Sequence, residues 1–172
     1  MNELDEVWSQ MLADAQAKAR AAGRHDVADY LTLKASNDQI RDRSVRWLFD
    51  TLTGFAVDAM ERFPLMSIER EDPHNFSLRG ANLVGSLLRI RLGVRCVTLE
   101  AGWTRTPADG FMRGGALAFA RITHFGQKKS NAELWLMRSA EVPQWLTADG
   151  DITGEPITPA DLLSHFQTFV AM

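Results

Sequence analysis

The chain has 172 residues, 45% of them hydrophobic and 24% charged, with a net charge of −3 and an isoelectric point near 5.8. A chain this long buries roughly two thirds of the surface that its unfolded form exposes, so folding requires no metal or disulfide staple, and the single Cys96 excludes an intramolecular disulfide. No apolar run approaches the roughly 18 residues of a membrane span. The most apolar stretch, 83–99, is interrupted by Arg89, Arg91 and Arg95, and the opening MNELDEVWSQ carries acids where a secretory leader carries bases. The expectation is a cytoplasmic protein without membrane contact, and the excess of arginine over lysine, fifteen to four, suggests a bacterial source.

Leu4, Trp8, Met11, Ala15 and Ala22 recur at helical spacing and predict a helix over 3–22, ending near Gly23. A short helix over 25–33 follows. Ser36-Asn37-Asp38-Gln39 then has the pattern of a capping box, which predicts the start of a long helix carrying Val45, Leu48, Leu52, Phe55, Ala59 and Phe63 and stopped by Pro64. From Leu65 the period changes to two: strands over 65–71 and, after the turn Asp72-Pro73-His74-Asn75, over 76–100 with breaks at Gly80 and Gly85. Further strands are expected at 115–125, 132–139 and 144–147. Short polar connections favour an antiparallel meander. Thr158, Pro159 and Asp161 open a last helix carrying Leu162, Leu163, Phe166 and Val170. The expected class is α+β: an antiparallel sheet of about five strands with two to three N-terminal helices and one C-terminal helix, in a single domain over 1–172. Its parts would be a helical segment 1–63, a sheet 64–147, and an acidic turn plus helix over 148–172.

Charge is unevenly spread along this plan. Residues 64–140 hold 6 acids against 11 bases, and residues 141–172 hold 5 acids and no base. In the strand expected over 87–100, Leu88, Ile90, Leu92, Val94 and Cys96 alternate with Arg89, Arg91 and Arg95, which would place three guanidinium groups on one sheet face. Such a row suits an acidic protein partner or a small anion. Glu69, Glu71, Glu133 or the acidic C-terminal segment could instead pair with it internally. Nucleic acid is disfavoured, because the strand interleaves no aromatic residue with its arginines and the whole chain is acidic. The apolar residues of neighbouring strands fall on both parities, which suggests two partly covered faces and a homodimer through the sheet.

The longest expected connection, 103–115, is the first candidate site. Arg105 and Arg113 could hold an anion, Gly114 and Gly115 would allow close backbone approach, Trp103 and Phe111 could form an apolar wall, and Asp109 could pair with an arginine. Asp149-Gly150-Asp151-Ile152-Thr153-Gly154-Glu155 resembles the start of a calcium loop, but position 12 is Ala160 and the closing carboxylate is missing, so an acidic turn is expected. The four histidines lie singly, with no paired-ligand spacing, so neither metal nor cofactor is expected. His124 remains a candidate for acid–base work beside a cleft, with Asp72 or Glu100 as possible partners. The reading drawn from these residues is a binding or interaction domain recognising an acidic partner or small anion. A small α+β enzyme acting on an anionic substrate is the alternative, and a nucleic-acid-binding protein the second.

Overall fold

The computed structural model of the chain describes residues 3–139, 142–148 and 154–171. Two helices, α1 (Glu3–Ala21) and α2 (His25–Ala59), precede strands β1 (Met66–Leu78), β2 (Ala81–Leu92), β3 (Arg95–Trp103), β4 (Ala118–His124), β5 (Ala132–Met137) and β6 (Gln144–Thr147), and α3 (Pro159–Ala171) closes the chain. The class is α+β, and the sheet has six strands where about five were expected. Among the described residues no helix is long and apolar enough to cross a membrane.

Contacts divide the chain into two units, Met1–Asp42 and Arg43–Met172. In the first, small side chains let α1 and the start of α2 approach: among the described residues Ala19 and Ala28 are its buried apolar ones, and Gln16 donates to the Thr32 hydroxyl at 3.2 Å. The break expected before Ser36 is absent, because α2 runs through that segment. Asp38 there pairs with Lys34 one turn back and with Arg41 ahead, at 3.4 and 2.9 Å, and such pairs support a continuous helix where no glycine or proline interrupts it.

The second unit is a meander in which each strand pairs antiparallel with the next in sequence. Two departures from the expected strands set its geometry. The segment 72–75 is an irregularity inside β1, where the register shifts between Glu71 and His74 and the Asp72–Pro73 peptide is cis. The expected strand 87–100 folds back on itself at Gly93-Val94, with Leu92 paired to Arg95. Gly93 has φ 61, as the first central position of a type II′ hairpin turn requires.

Cross-strand register assigns the faces. Leu88, Ile90, Val97, Leu99, Ala101, Ala120, Ile122, Leu134 and Leu136 share the inner face, all buried. Against it lie Leu48, Phe49 and Leu52 of α2 and Leu162, Phe166 and Phe169 of α3, likewise buried, with Phe55 and Phe166 in ring contact at 6.2 Å. Trp145 donates its indole N–H to the Ser44 carbonyl at 3.0 Å, and the Arg70 guanidinium lies 5.1 Å from the centroid of the Phe49 ring. Helix α3 begins where the sequence places it: Thr158 and Asp161 exchange backbone and side-chain hydrogen bonds, a reciprocal N-terminal cap.

Candidate functional site

The outer face carries two unlike regions. Toward the β1–β2 turn, Leu83, Ala116, Phe119 and Trp135 form a small buried cluster, joined by Phe76, Leu78, Met112 and Met137. The Phe119 and Trp135 rings meet at 4.8 Å. The connection between β3 and β4 covers this cluster. Thr106 donates its N–H and its hydroxyl to the Asp109 carboxylate, each at 2.9 Å, which holds that carboxyl below the usual carboxylate range. Gly110 comes so near β2 that a Cβ there would lie 3.0 Å from that of Ala81.

Between this connection and the β1–β2 turn lies a half-open cavity of about 380 Å³, with Leu78, Leu83, Met112 and Trp135 among its apolar lining and Arg79 and Arg113 as its cations. Leu83 and Trp135 in its lining are 1% and 2% exposed, while Phe111 at its rim is 86% exposed. Arg79 sits in the turn itself with φ 48, an uncommon backbone for a residue with a side chain, and reaches Glu133 of β5 through Nη2 at 3.1 Å. An apolar hollow of this size with a few charged groups at its mouth is the usual form of a small-molecule site.

The other region is polar. Glu71, His74, Glu100 and Arg121 form a chain of contacts across β1, β3 and β4: His74 Nδ1 lies 3.2 Å from Glu71, His74 Nε2 lies 2.9 Å from Glu100, and Arg121 Nε donates to Glu100 at 3.1 Å. Partial burial opposes charge on His74, but hydrogen bonds and charges from Glu100 and Glu71 outweigh it and raise its pKa. Burial likewise disfavours the Glu100 carboxylate, and Arg121 and His74 more than offset this, so its pKa is lowered. Both ring nitrogens of His74 are thus engaged by carboxylates, which suits a cation holding three strands together and leaves no nitrogen to take a substrate proton.

The expected arginine row is divided. Arg89 and Arg91 lie on the outer face, where Arg89 pairs with Glu69 at 3.1 Å. Arg91 is exposed there, beside Cys96. Burial raises the Cys96 thiol pKa, against the opposing charges of Arg91 and Arg89. The turn at Gly93-Val94 reverses the parity beyond it, so Arg95 pairs with Leu92 on the inner face and donates to the Val170 carbonyl near the end of α3 at 2.7 Å.

The 103–115 connection is divided as well. Trp103 has the inner-face parity of Leu99 and Ala101, with the Arg105 guanidinium 4.0 Å from its ring centroid, and Arg105 donates to the Val84 carbonyl. Arg113 and Phe111 line the cavity. Gly114 and Gly115 turn the chain with φ 63 and 72, and nothing lies within 4 Å of a Cβ at Gly115, so backbone conformation and not close approach calls for glycine there.

His124 lies on the inner face, opposite Val97, and is 2% exposed. Its Nε2 is 3.0 Å from His165 Nδ1 of α3, while its own Nδ1 is buried without a partner. A bare acceptor is the cheaper orphan, so His124 carries its proton on Nε2 and donates to His165. Burial, with His165 adjacent, pushes His124 down to about 4, and burial also lowers His165 against the pull of Asp161. The partner of His124 is therefore a histidine, while Glu100, one of its expected partners, belongs to the outer-face chain.

Sequence reasoning missed Arg79, Leu83 and Trp135 as cavity residues, whereas Met112 stands in the 103–115 connection. One signal was present: an Arg-Gly pair between two alternating apolar runs marks a turn. The acidic turn at 149–153 lies outside the described residues. Among the described residues no group of three His, Cys, Asp or Glu is placed to hold a metal ion. Comparison with protein-family models, with curated proteins and with solved structures finds no match.

Proposed function

We propose that this chain is a non-enzymatic binding domain that takes a small anionic ligand in the cavity between the β1–β2 turn and the Gly110–Arg113 segment. The observation that carries the reading is the pairing of an apolar hollow of about 380 Å³ with two guanidinium groups, Arg79 and Arg113, in its lining. Guanidinium has five N–H donors in a planar fork suited to carboxylate and phosphate, so the single Nη2 contact of Arg79 with Glu133 leaves donors for a ligand. A small anion is favoured over an acidic protein or a second copy of the chain, because the guanidinium groups stand in the lining of a concave hollow of small-molecule size. It is favoured over an enzyme because the two histidines nearest to acid–base work, His74 and His124, are hydrogen-bonded within the fold.

Thermal melting against inorganic phosphate, citrate, benzoate and decanoate tests this, since a ligand preferring the native state raises the midpoint. At least one anion is expected to raise it, with the shift lost in Arg79→Asn/Arg113→Gln, where asparagine tolerates the backbone of the turn. No shift with any anion, or a shift that survives in the double variant, would overturn the proposal.

A further inference from the structure

Resting on that reading, we infer that the ligand is amphipathic: an apolar body of roughly a dozen heavy atoms, from the cavity volume and about 30 Å³ per small group, with one terminal carboxylate. The cavity separates its chemistry by depth. At the bottom, Leu83 and Trp135 are almost wholly removed from solvent and belong to a continuous apolar cluster with Phe119 and Ala116. Cations enter the lining from the turn, with Arg79, and from the covering segment, with Arg113.

This layering selects against the two simplest anions. A free inorganic phosphate seated at depth would exchange its hydration for Leu83, Met112 and the Trp135 ring, which desolvates charge without compensation. A polyanion would meet Arg79 already sharing its charge with Glu133 at 3.1 Å. A single carboxylate matches the planar fork of an arginine such as Arg79, and an unbranched or flat apolar body displaces water from the hollow below it. Phe111, at the rim and 86% exposed, is placed to close over such a body.

Calorimetric titration of the full chain with decanoate, its neutral counterpart 1-decanol, and inorganic phosphate tests the inference. Decanoate is expected to bind saturably, with a Kd of about 0.1–1 mM for a ligand of that size. Arg79→Asn/Arg113→Gln and the cavity-filling Met112→Trp should each weaken it about tenfold, with unchanged circular dichroism showing that the variants are folded. At concentrations that dissolve, 1-decanol should give much less binding heat than decanoate at the same concentration and respond to Met112→Trp alone. Phosphate binding as tightly as decanoate would overturn the amphipathic inference and leave the small-anion reading standing. Decanol binding as tightly as decanoate, with no effect of the arginine variants, would overturn the anion reading itself. No binding of any of the three would remove the cavity as a site and both proposals with it.

Discussion

Gly85 and Gly102 face one another across β2 and β3, and neither has room for a methyl group. A Cβ at Gly85 would lie 1.8 Å from the Ala101 carbonyl oxygen, and one at Gly102 would lie 2.8 Å from that of Val84 and 3.0 Å from the edge of the Phe76 ring. The missing side chains leave a trough in the outer face that Phe76 crosses, stacked on His74 at 5.6 Å. Gly85→Ala must therefore move backbone in two central strands. We expect a loss of about 3–5 kcal/mol, hence a melting midpoint lower by about 10 °C or more for a chain of this size. A melt within 2 °C of wild type would show that the two strands separate more easily than this packing implies.

His74 and Glu100 make opposite contributions with pH. The raised pKa of His74 means that its stabilisation is complete below the ordinary value of 6.5 and is lost as pH rises through the folded value. The lowered pKa of Glu100 means that its share is present above the ordinary 4.5 and is lost as pH falls through the folded value. Glu100→Gln, which leaves Arg121 and His74 short of a charged partner, should cost about 1–3 kcal/mol at pH 6. His74→Gln should remove the decline in urea midpoint on the alkaline side of pH 6.5, and a decline identical to wild type would dissociate it from this histidine.

The buried pair on the other face acts at acid pH. His124, at about 4 when folded, takes up its proton later than in the unfolded chain, so stability falls as pH drops from 6.5 toward 4. The limiting loss from His124 alone is about 3 kcal/mol. In His124→Phe/His165→Phe neither ring titrates, and the urea midpoint should change less between pH 6.5 and 4 than in wild type. Equal acid sensitivity in the two proteins would place its origin among the carboxylates.

The three arginines that look alike in sequence should respond differently to substitution. Arg95→Ala removes a charged donor from the Val170 carbonyl near the C-terminus of α3, and about 1–2 kcal/mol should be lost. Arg89→Ala breaks an exposed pair with Glu69 and should cost at most about 1 kcal/mol. Arg91→Ala, on the exposed surface, should stay within about 0.5 kcal/mol. Urea titration of the three single variants checks the order, and a similar loss in all three would show that the row acts as one cluster after all.

Periodicity and turn chemistry made most of the fold legible. Gln144–Thr147 forms a strand with the bounds expected, and Thr158-Pro159 opens α3 where its caps stand. The misreadings share a physical cause: local signals are optional until distant contacts select among them. Ser36-Asn37-Asp38-Gln39 can cap a helix but also lies comfortably inside one, and Gly93 can sit in a strand but here turns it. That one turn moves Arg95 to the other face and dissolves the arginine row. Arg113 and Phe111 were readable as part of a site because they stand in a long connection. Trp135, Leu83 and Arg79 were not, since only sheet register brings them beneath it.

The sheet order β1-β2-β3-β4-β5-β6 has a consequence for synthesis on the ribosome. Each strand finds its partner in the segment translated immediately before it, so pairing can advance with the emerging chain and no early strand waits for a late one. The helices do not share this order. Leu162, Phe166 and Phe169, which complete the inner core against the α2 side chains, are made only after all six strands. A nascent chain halted before residue 160 would thus display a paired sheet whose inner side is covered by α2 alone, and translation of α3 covers the rest of it.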